Sequence, residues 1–130
     1  MKLNIGDMFQ LSIDVKHIDN HAWVVISQPD EDPENVVMVN LTTFEEWKDD
    51  ACILSSDDHS WIKHRTCISY EDATMTTEGQ LDKWVEGDKL KMLEAASDEM
   101  ITKILEGAEK TDDMKVKFLS ILSRQGLISY

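Results

Sequence analysis

The hydrophobic pattern of the chain changes its period near Tyr70, and this change constrains the fold more than any other feature. In residues 8–16 (MFQLSIDVK), apolar and polar side chains alternate, as in a half-buried strand. Residues 22–27 (AWVVIS) form a continuous apolar run, which is typical of a strand covered on both faces. The first part of the chain is therefore predicted to be β-structure.

Three further strands are expected in this part, at residues 36–44, 51–54 and 60–70. The loop at 28–35 (QPDEDPEN) contains two prolines and cannot pair in a ladder. Because no long helix intervenes, we expect these strands to form a strongly curved antiparallel sheet or small barrel of about five strands through residues 6–70.

The C-terminal part shows helical periodicity. Residues 97–110 begin with Ser97 as an N-cap and acids in the first turn, and residues 111–126 repeat the arrangement with Thr111. Both segments carry an apolar stripe, which favours packing onto the sheet. At least two helices are therefore expected after the strands.

The length of 130 residues suits one domain. We expect an α+β, mainly β, domain spanning 1–130, with the barrel strands in 1–70 and a mostly helical part in 71–130 packed on the barrel.

Composition and cysteine usage indicate the compartment. No unbroken apolar run approaches the length of a membrane span, and the N-terminus does not resemble an export signal. Cys52 and Cys67 are far apart and do not form a metal-binding pair motif, so reduced thiols in a cytoplasmic protein are expected. The net charge of -13 argues against a generic nucleic-acid binder, which usually has a basic face.

Against this acidic background, residues 59–65 (HSWIKHR) contain His59, Lys63, His64 and Arg65 without any acid. Cleavage of a phosphodiester without a metal needs a base, an acid and cations for the developing charge. Histidine titrates near neutrality, and lysine or arginine supplies a fixed positive charge. The alternative is a solvated strand edge whose charges prevent unwanted pairing.

A second, smaller group of the same kind is KHIDNH at residues 16–21, with His17 and His21. Four positions along a strand separate two side chains by about 13 Å, which is too far for one metal ion. The sequence therefore predicts neither a metal nor another cofactor.

The spacing within 59–65 assigns roles to the two histidines. Five positions place them on opposite faces of a regular strand. His64 shares a face with Ile62 and is expected to be partly buried and structural. His59 is expected to be accessible and to act as the general acid, with Lys63 and Arg65 stabilising the phosphorane on its side.

The segments IGDMFQLSID, HAWVVIS and VVMVNLTTF together resemble the opening of the PemK/MazF toxin family. Gly6, Asp7, Ser27, Thr42 and Thr43 match the places of the family's short motifs. The resemblance spans most of the chain. It implies an SH3-like barrel, metal-independent endoribonuclease activity of a toxin–antitoxin system, and a catalytic or substrate-orienting role for Thr42 or Thr43.

The chain departs from that family at one important place. Typical members carry a catalytic Arg-Pro pair before the second strand, where this sequence has His21 and Ala22. Either Lys63, His64 and Arg65 supply the missing charge from another strand, or the activity has been lost. The predicted site comprises His59, Lys63, Arg65 and Thr43 as catalytic residues, with His17, His21, Thr42 and His64 binding substrate.

Two hypotheses of different classes therefore stay open. The first is a PemK/MazF-like endoribonuclease with a rewired site, whose partners are RNA and a cognate antitoxin. The second is a non-catalytic acidic barrel that binds protein as an inhibitor, regulator or immunity factor. The sequence is compatible with a homodimer under both. Convergence of the predicted site residues in one cleft would favour the first hypothesis, and their scatter the second.

Overall fold

Nine regular elements follow one another in the computed structural model, which describes residues 2–13 and 21–130. They are β1 (Met8–Leu11), β2 (Ala22–Val25), β3 (Val36–Thr43), β4 (Ile53–Leu54), β5 (Thr66–Thr76), α1 (Glu78–Glu86), β6 (Leu90–Met92), α2 (Asp98–Lys110) and α3 (Val116–Arg124). All strand pairs are antiparallel. The expected α+β class, with two helices at the C-terminal end of the described chain, is confirmed.

The six strands lie in the order β4-β5-β3-β2-β1-β6. In the described part of the chain, β4 and β6 form the two edges and do not pair with each other, so the sheet is not a closed barrel, and the expected small barrel is not confirmed. A closed barrel needs its edge strands to meet in a continuous ladder. Here the edge strands have two and three residues, and the sheet is covered by helices instead of folding onto itself.

The two faces of the sheet bury different apolar clusters, because successive strand residues point to opposite sides. On one face, Val24 and Leu41 pack in a cluster with Ile104 of α2. On the other face, Trp23 packs in a cluster with Leu81 of α1. Burial on both faces accounts for the continuous apolar run in β2.

The long pair β3–β5 contains an irregularity. Met38 pairs with Thr74, whereas Asn40, two residues further along β3, pairs with Ser69. Between these two pairs β5 has four residues, 70–73, whereas β3 has one, so β5 bulges there.

Several predicted boundaries are wrong in an informative way. Residues 60–65 form a loop, and β5 starts at Thr66 and extends past Tyr70. The short strand β6 was not predicted. The predicted strand 8–16 ends at Leu11, and its residues 14–16 lie outside the described residues.

The two C-terminal helices begin differently from each other. Ser97 caps α2 as predicted, since its hydroxyl accepts a hydrogen bond from the Met100 N–H. Thr111 instead ends α2, and α3 begins after Lys115 without a side-chain cap. The Thr111 hydroxyl donates to Asp49 at 2.5 Å and accepts from the Asp113 N–H, so it holds the connection between the helices.

The helices found in the described chain are too short or too polar to span a membrane.

Candidate functional site

The loop 59–65, the end of β3 and the start of β2 enclose a cleft of about 620 Å³, here called the histidine cleft. Six of the eight predicted site residues line it, namely His21, Thr42, Thr43, His59, Lys63 and His64. Arg65 is missing from the described lining, and His17 lies outside the described residues. The residues that the sequence singled out for one site are therefore mostly brought together.

Local contacts hold the loop in place. The Ile62 N–H donates to the His59 carbonyl at 3.1 Å, which closes a turn, and the Ile62 side chain is 1% exposed in the core. Before the turn, the Asp58 carboxylate accepts from Lys103 of α2 at 2.6 Å. Burial alone would raise the pKa of Asp58, but the ammonium of Lys103 and the N–H of Ser55 hold it below its usual range.

His59 anchors the loop from inside. It is 6% exposed, and its Nδ1 accepts a hydrogen bond from the Trp61 N–H at 2.9 Å. Since Nδ1 is an acceptor, Nε2 carries the ring hydrogen and donates to the carbonyl of Glu94 at 2.7 Å. Both ring nitrogens are engaged and the side chain is buried, so the expectation that His59 is accessible is wrong.

His64 has the opposite environment. It is exposed, and its Nε2 lies 2.9 Å from the Thr43 hydroxyl. The expectation that His64 is partly buried is therefore also wrong. Residues 60–65 do not form a strand, so their side chains do not alternate between two faces.

The two cations of the loop differ in their surroundings. Lys63 is exposed, lines the cleft and donates from Nζ to the Ser60 carbonyl at 3.0 Å. The Arg65 guanidinium lies 5.0 Å from the centre of the Phe44 ring, in a cation–π arrangement. Lys63 is thus the loop cation that a ligand in the cleft would meet.

Lys48 is a cation that the sequence reasoning missed. Its Nζ donates to the Thr43 carbonyl at 2.7 Å and to the Thr42 hydroxyl at 3.3 Å. Lys48 therefore places a positive charge beside the two threonines that match the family motif. In the sequence Lys48 lies within EEWKDD, between two pairs of acids, so the local charge is negative and gives no sign of a cationic site.

The other residues that match the family motif determine or stabilise the conformation of the backbone. Gly6 has a φ of +94°, a conformation that favours glycine. The Ser27 hydroxyl is buried and accepts from the Val37 N–H at 2.8 Å, and the Asp7 carboxylate accepts from the Asn4 N–H at 2.9 Å. These residues fix the connections of β1 and β2 and do not line the histidine cleft.

The cysteines do not provide a nucleophile here. Burial raises the pKa of the Cys52 thiol to about 11 and also raises that of Cys67. Among residues 2–13 and 21–130, no three His, Cys, Asp or Glu side chains are grouped to hold a metal ion. The polar groups that the histidine cleft offers to a ligand are therefore those of His64, Thr43 and Lys63, with the charge of Lys48 beside them.

No protein-family model matches the chain, and searches of curated proteins and of solved structures also found no match.

Proposed function

We propose that the chain is a PemK/MazF-like protein, with an SH3-like sheet that is open at its edges, and that it cuts single-stranded RNA without a metal in the histidine cleft. The observation that carries this proposal is the pairing of His64 with Thr43 at 2.9 Å in a cleft that also contains Lys63 and His21. The same reading makes it a cytoplasmic toxin-type protein with a cognate antitoxin as its protein partner.

In this mechanism His64 is the general base. Its Nε2–H donates to the Thr43 hydroxyl and orients the ring, so that Nδ1 takes the proton of a ribose 2′-hydroxyl. The 2′-oxygen then attacks the adjacent phosphorus, and the bond from phosphorus to the 5′-oxygen breaks. The products are a 2′,3′-cyclic phosphate and a 5′-hydroxyl, whose proton comes from His21 in its charged form.

The cations stabilise the charge that develops on the phosphorane. Lys63 is exposed at the rim and can contact a phosphoryl oxygen directly. Lys48 acts through its fixed charge, since its Nζ is already bonded to Thr43 and Thr42. His21 occupies the place where the family carries arginine, so the positive charge has moved to Lys48 and Lys63.

The overall charge of -13 determines how such an enzyme would meet its substrate. Long-range repulsion slows the approach of RNA, and only the local cations offset it. Binding is therefore expected to be weak and to become weaker with added salt.

The decisive experiment incubates the purified protein with mixed-sequence RNA in EDTA and analyses the product ends. Wild type is expected to release cyclic phosphates, and both His64→Ala and Lys63→Ala to lose at least tenfold in rate. Lys117→Ala, which removes an exposed lysine from α3, is the matched control and should cut at the wild-type rate. The proposal is wrong if wild type leaves RNA intact, or if His64→Ala cuts as fast as wild type.

A second candidate, an acidic module that binds protein without catalysis, is favoured by Trp47. This side chain is 78% exposed within the acidic run 45–50. Exposed tryptophans frequently anchor protein interfaces. Intact RNA in the assay above, together with saturable binding of a basic peptide that Trp47→Ala abolishes, would select this candidate.

A further inference from the structure

A second cleft, here called the acidic cleft, adjoins the histidine cleft and shares His21 and Thr42 with it. Its volume is about 430 Å³, which is within the usual range for small-molecule sites. The other residues that line it are Asn40, Trp47, Lys48, Asp49, Cys67, Ile68, Ser69, Tyr70, Glu71, Asp72 and Asp113. Apart from His21, Thr42 and Lys48, the residues that line it have no part in the RNA cleavage proposed above.

Asn40 of β3 is the unusual member of this lining. Its side chain is 2% exposed, and its Oδ1 accepts no hydrogen bond within the described part of the chain. Buried amide oxygens are nearly always paired, since leaving one unpaired costs free energy. Because Asn40 lines the acidic cleft, a ligand there that donates an N–H can satisfy this oxygen.

The charge around Asn40 is strongly negative. The lining contains four carboxylates, from Asp49, Glu71, Asp72 and Asp113, against the single ammonium of Lys48. That ammonium already donates to Thr43 and Thr42. Burial and the neighbouring Asp49 raise the pKa of Asp113, as expected where carboxylates crowd together. The cleft is therefore suited to a cation.

Trp47 adds an aromatic surface to the same cleft. Its indole N–H donates to Glu45 at 2.6 Å, and the side chain is 78% exposed. The Nζ of Lys48 lies 5.3 Å from the centre of this ring, so the indole already faces one cation, and its exposed surface can stack on a planar one.

We propose that the acidic cleft binds a guanidinium group. A guanidinium is planar, carries five N–H donors and is more weakly hydrated than an ammonium. It can therefore donate to an amide oxygen and to a carboxylate at once while its face stacks on an aromatic ring. An ammonium has three donors and no flat face. The group can belong to a small molecule or to an arginine side chain of a basic partner, and the test separates these sources.

The first measurement is calorimetric titration with two probes, agmatine and a capped Gly-Arg-Gly peptide. At least one probe is expected to bind saturably at one site, and the same peptide with citrulline or lysine at least tenfold more weakly. Tighter binding of agmatine indicates a small-molecule ligand, and tighter binding of the peptide indicates an arginine side chain. Absence of saturable binding for both probes, or equal binding of the citrulline peptide, overturns the proposal.

Variants then locate the bound group. Asp72 is half-buried and accepts from the Ser69 hydroxyl at 2.6 Å, and Asp72→Asn keeps an oxygen for this bond while it removes the charge. The change is expected to weaken binding about tenfold. Asp30→Asn, which removes an exposed carboxylate beside Lys2, is the matched control and should bind like wild type. Asn40→Ser is the test of the buried amide, with its folding checked by thermal melting. If Asp72→Asn binds as tightly as wild type, the acidic cleft is not the site, even when Asn40→Ser fails to fold.

Discussion

The hydroxyl of Thr43 and the imidazole of His64 lie 2.9 Å apart, across the boundary between the last residue of β3 and the loop before β5. This contact joins two segments that are 21 residues apart in sequence. It engages one ring nitrogen of the exposed His64, whereas the nearby His59 has both ring nitrogens engaged inside the fold. The two histidines of one short loop thus have separate tasks.

Replacing His59 by alanine is expected to destabilise the fold. The change removes two hydrogen bonds, leaves the Trp61 N–H without its acceptor and empties a buried volume, for a total loss of about 3 kcal/mol. Urea unfolding followed by circular dichroism measures this loss. His64→Ala serves as the comparison and should stay within about 0.5 kcal/mol of wild type, because His64 is exposed. Equal stabilities of the two variants would contradict the assigned roles.

Gly107 and Gly79 form a matched pair for a test of packing. A Cβ at Gly107 would overlap the Tyr70 hydroxyl and the Cβ of Cys52, so Gly107→Ala is expected to destabilise the protein by about 2 kcal/mol or more. The same change at Gly79 meets only the Thr77 hydroxyl at 3.8 Å and should stabilise α1 by up to about 1 kcal/mol. Thermal melting of both variants decides, and a stabilising Gly107→Ala would refute the close approach of α2 to β5.

The Asp58–Lys103 pair predicts a dependence of stability on acid. The folded pKa of Asp58 lies below its ordinary value of 3.8. Its contribution is therefore fully present above that value and is lost as the pH falls through the folded pKa. Melting temperatures between pH 7 and pH 2 should fall less for Asp58→Asn than for wild type. Parallel curves for the two proteins would show that the pair does not contribute.

In the proposed RNA cleavage, Lys48 is expected to contribute because its charge lies beside Thr42 and Thr43. Lys48→Gln should lower the cleavage rate about tenfold or more by removing that charge from the developing phosphorane. Lys83→Gln, at an exposed position on α1, is the control and should not change the rate. Single-turnover assays in EDTA measure both, and unchanged cleavage by Lys48→Gln would remove this residue from the site.

Local periodicity was sufficient for the strands that carry the sheet. The alternation at Phe9 and Leu11 and the apolar run around Val24 predicted β1 and β2, since burial on one or both faces is visible in neighbouring residues. It failed at 60–65, where Trp61 and Ile62 give a strand-like composition to a loop. That loop is fixed partly by the bond from His59 to Glu94, 35 residues away, which no local pattern contains.

The sequence predicted which residues belong to the candidate site better than it predicted the role of each residue. His64 and Thr43 were singled out from residue chemistry and from a family resemblance, and they meet in the cleft. Which histidine is buried depends on the path of the loop, so the strand argument reversed them. Lys48 was not predicted, because acids surround it along the chain. Its contacts with Thr42 and Thr43 exist only in the folded structure.

The irregularity of β5 has a consequence for chain length. The residue numbers of paired β3 and β5 residues add up to 112 on one side of the irregularity, as for Met38 and Thr74. On the other side they add up to 109, as for Asn40 and Ser69, so the register shifts by three residues. Deletion of the three residues 71–73 would make both sums equal and leave one uninterrupted ladder between β3 and β5. The same deletion would remove two of the carboxylates that line the acidic cleft. Part of the wall of the acidic cleft is thus a three-residue insertion into an otherwise regular strand pair.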